Sequence, residues 1–262
     1  MNSTEKTYLE IDKIIQNIDN YKVDNIFDLE KAKRQNKSVT SFKSDSEMLK
    51  NLSYLIAYSQ NANSESVENV LKSGEFDNAF ENFEVDKVAK LNPCDIADNY
   101  WENIKGIRQQ AKLFHIVSLA RKIKRLGSLA DIFEKASIPK SLKSQIDIEN
   151  FWNGFDLLLT TLKENKIPFF QSTTSLLHFL LDNGYDCIKP DLVVMKVAKK
   201  LNIIPDEKGD KNFRLTVKTI QEYSIDRNIR PTIVDFYFLI EEGQMGAKKY
   251  VQEEFYKLKK QN

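Results

Sequence analysis

The chain has 262 residues, a net charge of +1 and 41% hydrophobic content, the composition of an ordinary folded protein able to bury a large core. Two cysteines, Cys94 and Cys187, and two histidines, His115 and His178, show no paired short spacing; this argues against a disulfide framework, a structural zinc or an iron–sulfur cluster. No apolar run reaches bilayer length and the start Met1-Asn2-Ser3-Thr4-Glu5 is mostly polar, so the expectation is a cytoplasmic protein, nucleoid-associated if bacterial, with no membrane partner.

In chain order, residues 3–22 carry Tyr8, Ile11, Ile14, Ile15 and Ile18 at three- and four-residue steps, the spacing of an amphipathic helix. Residues 23–40 are polar and predict a short helix with an exposed loop. Ser44 reads as the cap of a helix with Asp45 and Glu47 in its first turn, running through Met48, Leu52, Leu55 and Ile56 to Tyr58. A polar cluster over 59–64 follows directly. Short helices are predicted over 64–72, 75–82 and 84–90, with Gly74 as a break. Asn92 and Pro93 suit the cap and first turn of a helix carrying Ile96, Tyr100, Trp101 and Ile104.

The spacing then predicts a strong amphipathic helix over 107–126, with Ile107, Ala111, Phe114, Ile116, Val117, Ala120 and Ile123 toward the core. Ser128 caps a short helix through Phe133. Asp147 opens one through Phe151, Trp152, Phe155, Leu158, Leu159 and Leu162, ending near Asn165. After a turn, Leu176, Leu177, Phe179, Leu180 and Leu181 give an apolar helix stopped by Asn183-Gly184. Asp191 begins another, with Val194, Val197, Ala198 and Leu201 inward. A loop over 205–212 precedes helices at 213–227 and 231–242, and a charged helix over 247–259 ends the chain. Cys94 and His115 read as core residues. Nothing alternates long enough to require a strand, and no repeat of fixed period is present. The expected fold class is all-α, with ten to a dozen helices.

Charge is unevenly spread. Residues 1–104 hold 19 acids against 12 bases, and residues 105–262 hold 19 against 27. Lys105, Arg108, Lys112, Arg121, Lys122, Lys124 and Arg125 fall within 105–125, where no acid occurs. Such a run suits a face presented to phosphates, or equally a solvated helix face.

The stretch around which the rest is organised is Ile167-Pro168-Phe169-Phe170-Gln171-Ser172-Thr173-Thr174-Ser175, then the apolar helix, then Lys189-Pro190-Asp191-Leu192-Val193-Val194-Met195-Lys196. These residues resemble the helix-hairpin-helix DNA glycosylase superfamily, whose hairpin reads Leu-Pro-Gly-hydrophobic-Gly-x-Lys-Thr-Ala and is followed by an aspartate motif. Ile167-Pro168 matches the start, Thr174 the Thr, and Asp191-x-x-Val194-x-Lys196-Val197 the aspartate motif. Phe169 and Gln171 stand where the family has glycines, and Thr173 stands where bifunctional members carry a Schiff-base lysine. Phe170-Gln171-Ser172-Thr173-Thr174, Gln60-x-Ala62, Phe80-x-x-Phe83-x-x-x-Lys87-Val88-Ala89 and Ile107-Arg108-x-x-x-Lys112 are similar to the DNA-3-methyladenine glycosylase I family. The resemblance covers residues 52 to 202.

The resemblance implies a two-lobed helical protein, with one lobe over 46–185 ending in the hairpin. The other would join 1–45 to 186–262, with the active-site cleft between them. It further implies a monofunctional DNA glycosylase, a hydrolase of base excision repair acting on a damaged or modified base such as a 3-alkylated purine. Asp191 would stabilise positive charge on the sugar as the base departs, the role carboxylates play in glycoside hydrolysis. Tyr58, Gln60, Asn61 and Trp101 would form the base pocket, by stacking and by amide hydrogen bonds. Tyr58 occupies the position of that family's pocket glutamate, so the glutamate's role does not transfer. Phe170, Gln171, Ser172, Thr173, Thr174, Lys189, Lys196, Arg108 and Lys112 would contact double-stranded DNA. No metal or other cofactor is expected, and the chain is expected to act as a monomer. The alternative is a helix-hairpin-helix DNA-binding protein without chemistry; a protein-interaction scaffold would have no use for the aspartate motif.

Overall fold

A computed structural model of the chain describes residues 3–60, 62–244 and 246–259. The described residues form fifteen α-helices, three single turns of 3-10 helix and no strand, so the fold is all-α with more and shorter helices than expected. In order they are α1 (Ser3–Tyr21), α2 (Ile26–Gln35), α3 (Asp45–Tyr58), α4 (Ser64–Ser73), α5 (Glu75–Ala79), α6 (Val85–Val88), α7 (Pro93–Ile104), α8 (Ala111–Leu126) and α9 (Leu129–Lys135). Then come α10 (Gln145–Glu164), α11 (Thr173–Asp182), α12 (Leu192–Lys200), α13 (Asp210–Asp226), α14 (Pro231–Glu241) and α15 (Glu253–Lys259). The expected terminal helix over 247–259 is divided into a 3-10 turn at Lys248–Tyr250 and α15.

Side-chain caps set several starts. The Ser44 hydroxyl accepts the Glu47 amide at 3.2 Å, while the Glu47 carboxylate accepts the Lys43 amide at 2.8 Å, a reciprocal arrangement that satisfies two otherwise orphaned donors. Asn63, Asn92 and Ser128 cap α4, α7 and α9, each with one side-chain oxygen accepting a first-turn amide. Asp147 lies inside α10 rather than opening it. Its carboxylate accepts from the Lys143 amide and the Ser144 hydroxyl, both at 2.9 Å.

The chain divides into two compact units. One comprises Met1–Thr40, Pro139–Trp152 and Thr173–Asn262; the other comprises Ser41–Ile138 and Asn153–Ser172. This division differs from the expected one: residues 139–152 and 173–185 group with the terminal segments, and the boundary falls inside α10.

In the first unit α14 is the central helix, packed by α1, α2, α12 and α13. Ile233, Val234, Phe236, Tyr237, Phe238 and Ile240 are all buried, and around them gather Ile18, Phe27, Val251 and Phe255. Each aromatic ring so buried contributes about 2–3 kcal/mol of transfer free energy. Arg230, just before α14, ties this unit together. Its guanidinium donates to Asp186 Oδ1 at 2.7 Å, to the carbonyls of Arg34, Gln35 and Lys37 at the end of α2, and to the Gly184 carbonyl at 2.7 Å. Gly184 (φ +85°) is required where it stands, because a Cβ there would lie 2.4 Å from the Ser38 carbonyl.

In the second unit α3 packs on α8 and α9, and α6 packs on α8. Phe80 stacks on Phe83 and meets Phe76 edge-on, beside Tyr54, whose hydroxyl donates to Asp77 at 2.7 Å. The inward face of α8 departs from the expected one. Ala111 and Phe114 are exposed, whereas Lys112 and Leu113 are buried with Ile116, Val117, Ala120 and Ile123. A charged side chain has taken the position that periodicity assigned to apolar ones. Cys94 is exposed, not core.

Candidate functional site

Within the first unit, α2, α11, α14 and the turn before α12 enclose a pocket of about 320 Å³, a size at the lower end for small-molecule sites. Its lining brings together Asp191, Lys189 and His178 with Lys33, Arg34, Lys37 and Asp235. Asp191 is the N-cap of α12, its Oδ1 accepting the Val193 and Val194 amides at 3.0 and 3.2 Å. The remaining oxygen, Oδ2, lies 3.7 Å from Lys189 Nζ. Lys196 is exposed one turn further along α12.

Two groups in this pocket are shifted in opposite directions. His178 is lowered from 6.5 to about 4, first by burial and then by Lys189, so its imidazole is neutral at physiological pH. Asp235 is raised from 3.8 to about 6 by burial, opposed by Arg34 and reinforced by the charge on Asp191. Arg34 Nη1 stands 3.5 Å from Asp235 Oδ2, while Arg34 Nε donates to Glu30 at 2.8 Å and the guanidinium covers the Phe236 ring at 4.9 Å. Lys33 and Lys37 are exposed at the rim, and neither ammonium has a hydrogen-bond or ion-pair partner among the described residues. No group of His, Cys, Asp and Glu among the described residues could hold a metal ion.

Thr173 is not available to DNA: it is buried at the start of α11 and its hydroxyl donates to the Asp210 carboxylate. Thr174 is half-buried. Gln171 and Ser172 are exposed, and Gln171 Nε2 donates to the Ile167 carbonyl at 2.6 Å. Phe170 is 1% exposed and packs edge-on against Phe169 at 5.0 Å, so it cannot plug a duplex without unfolding its surroundings. Phe169, standing where the resemblance places a glycine, adopts φ +73°. The chain therefore makes the left-handed turn that glycine favours, with a side chain that pays conformational strain for it.

In the second unit Lys112 is also withdrawn from solvent. Its Nζ donates to the carbonyls of Ala57 and Ser59 at 2.8 Å and of Ile107 at 2.7 Å. Burial and Arg108 lower its pKa to about 8, so it remains mostly charged at neutral pH. The ammonium closes the end of α3 and draws two strained residues together, since Gln60 (φ +56°) and Arg108 (φ +76°) each follow one of the bonded carbonyls. Gln60, Arg108 and Tyr58 are exposed and Trp101 is half-buried; Asn61 lies outside the described residues. Three more cations of the basic run have protein partners. Arg121 donates to the carbonyls of Ala89 and Leu91 after α6, Lys105 pairs with Glu102, and Lys124 pairs with Asp86.

Asp235, His178 and Arg34 were not singled out from the sequence. A signal existed for Asp235, the only charged residue between Pro231 and Ile240 in an otherwise apolar helix. Comparison of the chain with protein-family models, curated proteins and solved structures returns no match.

Proposed function

We propose that the chain is a monofunctional DNA glycosylase that hydrolyses the N-glycosidic bond of a damaged or modified base, with 3-alkylated purines as the leading class. The observation that carries this reading is Asp191, a carboxylate fixed by two amides in the lining of a pocket where Lys33, Arg34, Lys37 and Lys189 stand among four acids. Held so, it needs no reorganisation to stabilise the oxocarbenium-like sugar as the base leaves, or to align the attacking water. The cations around it offer contacts for the phosphates on either side. Thr173 brings no amine and is engaged by Asp210, which accords with hydrolysis rather than a Schiff-base lyase.

The second reading is a DNA-binding protein without chemistry. It is favoured by the engagement of both Asp191 oxygens, one by backbone amides and one facing Lys189. Alkali cleavage of duplexes carrying alkylated, deaminated or oxidised bases separates the two. Asp191→Asn should abolish base release and leave DNA affinity within a few-fold, because asparagine caps a helix as well as aspartate does but carries no charge. Full excision by Asp191→Asn would reduce Asp191 to a cap. Binding without excision by the wild type, on all three kinds of lesion, would establish the second reading.

A further inference from the structure

We propose that Asp235 is a positioning residue for Asp191: from the middle of α14 it fastens the 189–191 turn, and Arg34 of α2 holds it in place. This rests on the reading of Asp191 as the working carboxylate. An isolated acid 3% exposed in the most apolar helix of its unit is costly unless its oxygens are occupied. Here they are. Asp235 Oδ1 accepts the Lys189 amide at 3.3 Å, and Oδ2 faces Arg34 at 3.5 Å.

The connection onward to Asp191 is short. The Lys189 carbonyl accepts the Asp191 amide at 2.8 Å, so the two backbone groups of one residue join Asp235 to Asp191. Pro190 between them is buried, and its ring fixes φ. With Lys189 anchored, little freedom is left to the Asp191 backbone; with Lys189 released, the whole turn can swing. Arg34 is itself immobilised, by Glu30, by the Thr232 carbonyl at 3.5 Å and by the Phe236 ring.

The charged groups facing Asp235 are Arg34 from α2 and Lys189 and Asp191 from the turn; the buried Cys187 thiol lies close enough to feel its charge. Protonation of Asp235 removes the charge that holds Arg34, and burial brings that event to about pH 6. A core acid that merely joined α14 to α2 would change stability alone. A positioning residue changes the rate and its pH dependence as well.

The experiment compares wild type, Asp235→Asn and Asp235→Ala by hydrogen exchange of the Lys189 amide, duplex affinity and single-turnover excision between about pH 5 and 7. Asparagine keeps an acceptor for the Lys189 amide but cannot titrate. The expected result for Asp235→Asn is a protected Lys189 amide and a rate that no longer changes through about pH 6. Asp235→Ala should expose the amide and lose about tenfold or more in rate, with affinity within about twofold. A folded Asp235→Ala with wild-type protection and rate overturns the proposal, as does Asp235→Asn with an unaltered pH profile. Should Asp235→Ala fail to fold, the Asp235→Asn profile decides. Should the wild type excise nothing, the reading of the site fails, and exchange at Lys189 alone decides whether Asp235 anchors the turn.

Discussion

His178 and Asp235 impose opposite pH dependences on the stability of the same unit, and single substitutions should expose each. Burial lowers His178 from 6.5 to about 4. Between those values the unfolded chain binds more protons than the folded one, so stability from this group is lost as pH falls. Burial raises Asp235 from 3.8 to about 6. Over nearly the same window the folded protein binds more protons, so stability is lost as pH rises. Each shift is about two units, and at ~1.36 kcal/mol per unit each contributes about 3 kcal/mol of opposite sign. In the wild type the two nearly cancel. Urea unfolding at a series of pH values, taken as the difference from wild type, removes the titrations that all variants share. Relative to wild type, Asp235→Asn should gain about 3 kcal/mol between pH ~4 and ~6, because the surviving histidine is no longer opposed. His178→Gln should lose about as much over that range. Slopes of the same sign, or two variants that both run parallel to wild type, would refute the reasoning.

Three further outcomes follow from the packing. Lys112→Met retains the buried stem but leaves the Ala57, Ser59 and Ile107 carbonyls without their donor; the expected loss in chemical denaturation is about 3–5 kcal/mol. Arg230→Lys should cost nearly as much as Arg230→Ala, because one ammonium cannot reach Asp186, Gly184 and the end of α2 together; equal thermal stability of Arg230→Lys and wild type would contradict this. Gly154→Ala should destabilise by about 1–3 kcal/mol, because its Cβ would lie 2.4 Å from the Ala136 carbonyl.

Local signals read well wherever a short stretch determined the outcome. Ser44, Asn92 and Ser128 cap the helices that their positions predicted, because an N-cap needs only one side-chain oxygen within three residues of an amide. Asp191 likewise begins α12, and Lys189 lies beside it. What could not be read were interactions across long separations. Asp235 meets the Lys189 amide 46 residues away, and Arg34 lies beyond both. No periodicity records such a meeting. Phe114 is exposed for a related reason: in the first turn of α8 Lys112 and Leu113 take the inward positions, the lysine received by carbonyls from α3 and from residue 107, while Ile116, Val117, Ala120 and Ile123 keep theirs.

Lys112 also shows why a basic run is poor evidence for a phosphate-binding face. Seven cations without an acid between residues 105 and 125 look like a surface, yet helix ends and exposed carbonyls are also negative and much nearer. Lys112 and Arg121 are drawn to such carbonyls, and Lys105 and Lys124 to carboxylates. Lys112, fully buried, has already exchanged water for protein oxygen, and binding a phosphate would require breaking that arrangement. Lys33 and Lys37, in contrast to Lys112, are exposed to water in the pocket that Asp191 lines. Lys33 lies in the last turn of α2 and Lys37 two residues beyond its end, and both line that pocket. If they meet phosphates, each alanine substitution should reduce the salt slope of duplex binding by about one unit. An unchanged slope in the double variant would place the DNA elsewhere and leave the pocket without its expected partner.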